Sequence, residues 1–151
     1  RMGIWFRPSW IVRIDEARVR KAIAEAERRT SGEIRVSVSR FFWGPVRPVA
    51  EQAFHRLKMD ATKDQNGILF FIVPSRRRFV VLGDVGIHAH AGQDFWTETA
   101  AALSRRFREG AFTEGLIDGI QAAGECLASH FPYDRSTDVN ELSDEIDYGR
   151  R

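Results

Sequence analysis

The stretch Ile68-Leu69-Phe70-Phe71-Ile72-Val73, closed by Pro74 and followed by Ser75, three arginines and Phe79-Val80-Val81-Leu82, decides the fold. A strand with one wet face alternates apolar and polar residues, whereas a strand covered on both faces is apolar throughout, so 68–73 reads as a central strand between layers of helix. The run 79–82 reads as its antiparallel partner across a short charged turn. Upstream, Ile34, Val36 and Val38 alternate with Arg35, Ser37 and Ser39, the period of a strand with one buried face. A helix between that strand and 68–73 makes a β-α-β unit, whose right-handed crossover requires the two strands to be parallel.

Four helical patterns surround these strands. The first, about 14–29, repeats Ala17, Val19, Ala22, Ile23 and Ala26 at helical spacing. Asp15 is its expected cap, Ile14 and Val19 form a hydrophobic staple, and Gly32 is expected to take a left-handed exit. The second is expected to start at Pro48, which suits a first turn, and carries Ala50, Ala53, Phe54 and Leu57 on one stripe. The third, near 94–107, places Trp96, Ala100, Leu103 and Phe107 inward, and the fourth, near 113–131, Leu116, Ile120, Ala123 and Leu127. The expected fold class is therefore α/β: a three-layer α/β/α sandwich whose mixed sheet combines a parallel β-α-β unit with an antiparallel hairpin, helices on both faces.

Length and composition agree with one such domain. A chain of 151 residues, 43% hydrophobic and 29% charged, has the size and make-up of a single globular core. We divide it into an N-terminal extension at 1–13, one α/β domain at 14–132, and an acidic tail at 133–151 packed on or trailing that domain. In the tail, Leu142 and Ile146 lie four residues apart and are expected to dock as one helical turn, with Asp144, Glu145 and Asp147 facing water. The 23 basic side chains are interspersed with 21 acidic ones for a net charge of +2, which argues against nucleic acid as a partner. No apolar stretch approaches the roughly 20 residues that span a bilayer, and 1–13 lacks the unbroken apolar segment of a signal peptide, so the expected location is cytoplasmic. The lone Cys126 allows no intrachain disulfide, and on an apolar helix it is expected to behave as a small hydrophobe.

The topology gathers oxygen ligands at one place. The two parallel strands begin at one sheet edge and the antiparallel strand 79–82 finishes there, so Glu33, the loop 60–67 and Asp84 should meet. Asp60, Asp64, Asn66 and Asp84 are hard oxygen donors, and Gly67 and Gly83 let the backbone come close, which is the chemistry of a divalent-cation site. Asp60, Thr62 and Asp64 imitate part of an EF-hand loop, but Gln65 stands where that loop requires Gly, so the EF-hand is rejected. The competing reading is that Asp64, Asn66 and Gly67 form the turn into a strand and Asp84 caps another turn.

The same residues carry a family resemblance. Thr30-Ser-Gly-Glu-Ile34, Met59-Asp-Ala-Thr-Lys-Asp-Gln-Asn-Gly-Ile-Leu69 and Val81-Leu-Gly-Asp-Val-Gly-Ile87 resemble successive signatures of the TPM domain family. Phe112-Thr-Glu-Gly-Leu116, His130-Phe-Pro132 and Asn140-Glu-Leu142 extend the likeness, although Ser143 stands where stand-alone members have Pro. The resemblance implies an α/β/α sandwich with an acidic crevice. Some members are described as divalent-cation binders and others as acid phosphatases. It further implies that Asp60, Asp64 and Asp84 match the family's acidic positions; Asn66 and Glu33 are added as metal candidates by the strand-edge topology alone. Ca²⁺ is the favoured ion, with Mg²⁺ or Mn²⁺ also compatible with oxygen ligands. Catalysis would be metal-assisted phosphomonoester hydrolysis, with no catalytic residue assigned.

Other motifs carry less. His88 and His90 would point the same way if their segment were extended, yet a solvated pair is the more economical reading. Arg76, Arg77 and Arg78 form a basic hairpin tip at the edge opposite the acids. Phe41, Phe42 and Trp43 beside Gly44 and Pro45 either recruit a protein partner, making the chain a non-catalytic interaction module, or fold back over the core; folding back is the expectation.

Overall fold

A computed structural model describes residues 14–134 and 142–149, and the proposed 1–13 extension and Asn140-Glu141 of the tail motif lie outside them. Three strands, β1 (Glu33–Val38), β2 (Gly67–Val73) and β3 (Arg78–Gly83), form a sheet in the order β1-β2-β3. β1 runs parallel to β2 with Glu33 opposite Gly67, and β3 runs antiparallel with Gly83 opposite Ile68. The central β2 is buried along its whole length, as an uninterrupted apolar strand must be.

Side-chain alternation divides β2 between two cores. Ile68, Phe70 and Ile72 join Ile34, Val36 and Val38 beneath helices α1 (Glu16–Glu27), α4 (Gln93–Arg108) and α5 (Phe112–His130). Leu69, Phe71 and Val73 pack on the opposite face against Val46, Ala50, Ala53 and Phe54 of α2 (Val46–Arg56). The chain is thus an α/β/α sandwich around a mixed three-stranded sheet.

Local chemistry explains most boundaries. The Asp15 side chain accepts the Arg18 amide at 3.2 Å and caps α1, while Ile14 and Val19 are both buried as a staple requires. α2 starts two residues before Pro48, which therefore sits in the first turn, where its missing N–H is not needed. One expectation is corrected here. Gly32 is not left-handed: it is required by closeness instead, since a Cβ there would lie 2.8 Å from Leu127 of α5. The extended segment that would have aligned His88 and His90 does not form, because Val85–His88 coil into a short helix, α3, capped by Asp84.

The tail docks without becoming helical. Asp147 makes a parallel bridge to Ser37, with its carbonyl accepting the Val38 amide at 2.7 Å and its amide donating to Val36 at 2.9 Å, so 142–149 lies along the outer edge of β1. Ile146 is buried in the larger core and Leu142 packs against the smaller one. An exposed β1 edge offers a row of backbone hydrogen bonds that a lone helical turn could not satisfy. Nor does Asp147 face water: its carboxylate takes two hydrogen bonds from Arg56 of α2, at 3.0 and 2.8 Å, and one from Ser37 at 2.8 Å.

Candidate cation site at the strand edge

Backbone hydrogen bonds close the edge where β1 and β2 begin and β3 ends. The Glu33 amide donates to the Asn66 carbonyl at 3.3 Å and the Asp84 amide to Gly67 at 2.9 Å, which sets Asn66 and Asp84 on either side of the first β2 residue. Gln65 turns the chain into β2 with a φ of 52°, a left-handed conformation that a non-glycine residue adopts at a cost. Thr62 steadies this turn: its hydroxyl accepts the Asn66 amide at 3.3 Å and its carbonyl the Gln65 amide at 3.2 Å. Gly86, at the start of α3, presses against the same turn. A Cβ there would stand 2.5 Å from the Gln65 carbonyl oxygen and 2.6 Å from that of Asp64.

Two buried oxygens at this strand edge are left without donors. Asp84 Oδ1 accepts the Val85 amide at 2.8 Å, but its Oδ2 is buried and unpartnered among the described residues. The Asn66 amide nitrogen donates to the Ser31 hydroxyl at 3.3 Å, while its Oδ1 is likewise buried and unpartnered. Asp84 therefore caps α3, as the turn reading expects, and still presents a second oxygen that capping leaves unused. A buried acceptor without a donor costs about 1–3 kcal/mol, so each of the two calls for a physical account.

The other three expected ligands are placed differently. Glu33 is buried, and its carboxylate accepts the Leu142 amide at 3.1 Å, engaging the tail. Asp60, on the 3₁₀ turn Met59–Ala61, is exposed and lies 2.7 Å from Nδ1 of His55. Asp64 is exposed as a side chain and approaches the niche through its carbonyl. Among the described residues no three His, Cys, Asp or Glu side chains gather closely enough to hold an ion, so the expected set of three aspartates is not preassembled. The reason is local: α2 ends one residue beyond His55, and the 3₁₀ turn that follows delivers Asp60 back to that ring.

A carboxyl cluster missed by sequence reasoning stands beside Glu33. Glu27, the last residue of α1, accepts the Ile34 amide at 2.8 Å. Burial, a hydrogen bond with Asp144 of the tail, and the nearby Glu33 push its carboxyl up to about 10, so it is protonated at neutral pH. The only sequence signal was an acid at the end of a helix, where the dipole disfavours it. Next to the niche, Arg47, Glu51, Phe54, His55, Leu82, Gly83 and His88 line an open cleft of about 450 Å³. His88 stacks on Trp96 and His90 on His130; both are exposed, and the two imidazoles face different partners. Burial pushes the Cys126 thiol up, in keeping with an unreactive packing role.

The chain matches known proteins over most of its length. The family model described as the TPM domain matches residues 11–126. The BA42 protein of the psychrophilic bacterium Bizionia argentinensis is 42% identical, with 89% of this chain and 92% of that one covered at a TM-score of 0.83. The N-terminal domain of a protein from P. gingivalis is 20% identical, with 78% of each chain covered and a TM-score of 0.64. The N-terminal domain of the cg2496 protein of Corynebacterium glutamicum is 13% identical, with 89% and 78% covered and a TM-score of 0.52. These last two share the fold. No curated protein matches significantly.

Proposed function

The chain belongs to the TPM domain family, and on that premise we propose that it binds a divalent cation in the niche between Asn66 and Asp84. The observation that carries this reading is the pair of buried, donor-less oxygens, Asn66 Oδ1 and Asp84 Oδ2, at a turn tightened by Gly86. An ion would satisfy both at once. Asp84 and Asn66 would be the inner ligands and the Asp64 carbonyl a third, with the Asp64 carboxylate reaching in from the loop. Asp60 and Glu33 stand at the margin, held by His55 and by the tail. Amide, carboxylate and carbonyl oxygens suit Ca²⁺ first, then Mg²⁺ or Mn²⁺. If phosphomonoesters are hydrolysed here, the ion supplies polarisation of a phosphoryl oxygen, and the adjoining 450 Å³ cleft with its His55–Asp60 pair is the place for the ester.

Thermodynamic linkage tests the site. An ion that binds only the folded chain stabilises it by roughly 2.7 kcal/mol at about 100 times the dissociation constant, raising the melting temperature by roughly 5–10 °C. Melts of wild type and Asp84→Asn in chelator, Ca²⁺, Mg²⁺ and Mn²⁺ should show a rise that the variant loses in large part. If no ion at millimolar concentration moves the wild type, or if all move both proteins equally, the site does not exist. Hydrolysis of a generic phosphomonoester, with and without the ion, tests catalysis separately: turnover abolished by Asp84→Asn supports it, and equal residual turnover in both proteins refutes it.

A further inference from the structure

The opposite end of the molecule carries a different chemistry. Phe41 and Trp43 do not fold back over the core: Phe41 is 45% and Trp43 88% exposed, and they meet edge to face at 4.7 Å. Only Phe42, between them, packs inward against the smaller core. The loop is braced in this outward form. Arg76 donates to the Phe42 carbonyl at 3.0 Å and the Gly44 carbonyl at 2.8 Å, with its guanidinium 5.4 Å from the Phe42 ring. Gly44 has a φ of 96° and open space around it, which suits a projecting tip.

Arginines join this loop to its neighbours in one continuous face. Arg76 belongs to the turn that links β2 and β3, and the next residue, Arg77, donates to the Arg108 carbonyl at 2.9 Å at the end of α4. That end of the molecule therefore carries Arg40, Arg77, Arg78 and Arg108, all exposed, beside two exposed aromatic rings. Glu109, next to Arg108, is the acid nearby in sequence, while Arg47 and Glu51, 3.8 Å apart, belong to the cleft beside the niche. The buried acids Glu27, Glu33 and Asp84 lie toward the other edge, where β1 and β2 begin.

We propose that this aromatic and basic end docks on a negatively charged lipid surface. Two features single out that partner. Trp is the side chain that favours the boundary between headgroups and hydrocarbon, and here it tops a convex tip that a fluid surface can accept without a preformed pocket. The surrounding arginines supply charge complementary to anionic headgroups, each contributing an affinity gain of about fivefold near such a surface. Neither feature needs a membrane-crossing helix, and the described residues contain none. Contact of this kind is reversible and sensitive to salt.

The test is cosedimentation of the full chain with vesicles of phosphatidylcholine containing one quarter phosphatidylglycerol, beside vesicles of phosphatidylcholine alone. The full chain should bind the anionic vesicles at about 0.1 M salt, far more weakly the neutral ones, and lose binding as salt rises. Trp43→Ala should weaken the partition about tenfold or more, and Arg40→Gln with Arg78→Gln roughly 25-fold. Both variants change exposed side chains, so unchanged melting temperatures should accompany the loss. Absence of binding to anionic vesicles, equal binding to neutral ones, or a Trp43→Ala variant that binds like wild type would each overturn the proposal. So would self-association abolished by Trp43→Ala with vesicle binding intact, since the rings would then serve a second copy of the chain.

Discussion

Gly86 shows how one residue without a side chain sets the geometry of the niche. A Cβ on it would press into the carbonyls of Asp64 and Gln65, and its amide donates to Gln65 at 2.9 Å, so α3 and the turn into β2 are locked together by backbone alone. Carbonyl oxygens cannot swing away as a long side chain can. Gly86→Ala should therefore force the turn from Asp84, lowering stability by about 1–3 kcal/mol in the manner of an overpacked core. It should also weaken any ion-induced rise in melting temperature, whereas Gly92→Ala, in open space, should leave both unchanged. Thermal melts with and without Ca²⁺ compare the two; a silent Gly86→Ala would mean that the turn yields freely. A second residue-scale prediction concerns Glu27. Gln there is close to isosteric with the protonated acid and keeps an acceptor for Ile34, so Glu27→Gln should stabilise the chain at neutral pH by about 1 kcal/mol or more, read as a melting temperature higher by a few degrees.

At the scale of elements, the tail is the piece whose removal should be felt most. Ile146 fills the larger core, Leu142 touches the smaller one, and Asp147 ties β1 to α2 through Ser37 and Arg56. Burial of one such aliphatic side chain contributes about 1.5–3 kcal/mol. Ending the chain after Pro132 should thus lower the melting temperature by roughly 5–10 °C; an unchanged melt would show that the docking contributes nothing. What could be read from sequence follows the same division. Strands and helices were legible because 68–73 is apolar on both faces, 34–38 alternates, and Ala22, Ile23 and Ala26 repeat at helical spacing, patterns set by burial of whole faces. The meeting of Asn66, Gly67 and Asp84 followed from strand direction alone. Side-chain partners did not follow. Nothing in the spacing reveals that Asp60 turns to His55, that Glu33 accepts from Leu142, or that Asp147 pairs with Arg56 from 91 residues away. The Phe41 and Trp43 rings were misjudged because composition registers apolar area but not the Arg76 brace that holds them outward.

For the whole molecule, two carboxyls near the docked tail, shifted in opposite senses, tilt the dependence of stability on pH. Burial first, then Asp144 and Glu33, raise Glu27 from an ordinary 4.5 to about 10. A raised carboxyl means that the folded chain holds a proton the unfolded chain has given up. Its contribution is full below about 4.5, diminishes as pH climbs above that value, and is gone near 10. Asp147 acts the other way. Burial alone would raise it, but hydrogen bonds from Arg56 and Ser37 outweigh burial and hold it below its ordinary 3.8, so its contribution is present above that pH and is lost in stronger acid. Between the two lies a stability maximum in mildly acidic solution, about pH 4–5, displaced from neutrality by Glu27. Denaturant melts from pH 3 to 9 should trace that maximum and a decline on the alkaline side. In Glu27→Gln the alkaline decline should flatten while the acid limb stays, and in Arg56→Met the acid limb should weaken while the alkaline decline stays. A wild-type profile flat from pH 5 to 9, or one unaltered by Glu27→Gln, would show that Glu27 ionises in the folded chain at little cost, and that the tail carboxyl Asp144 shares no proton with it.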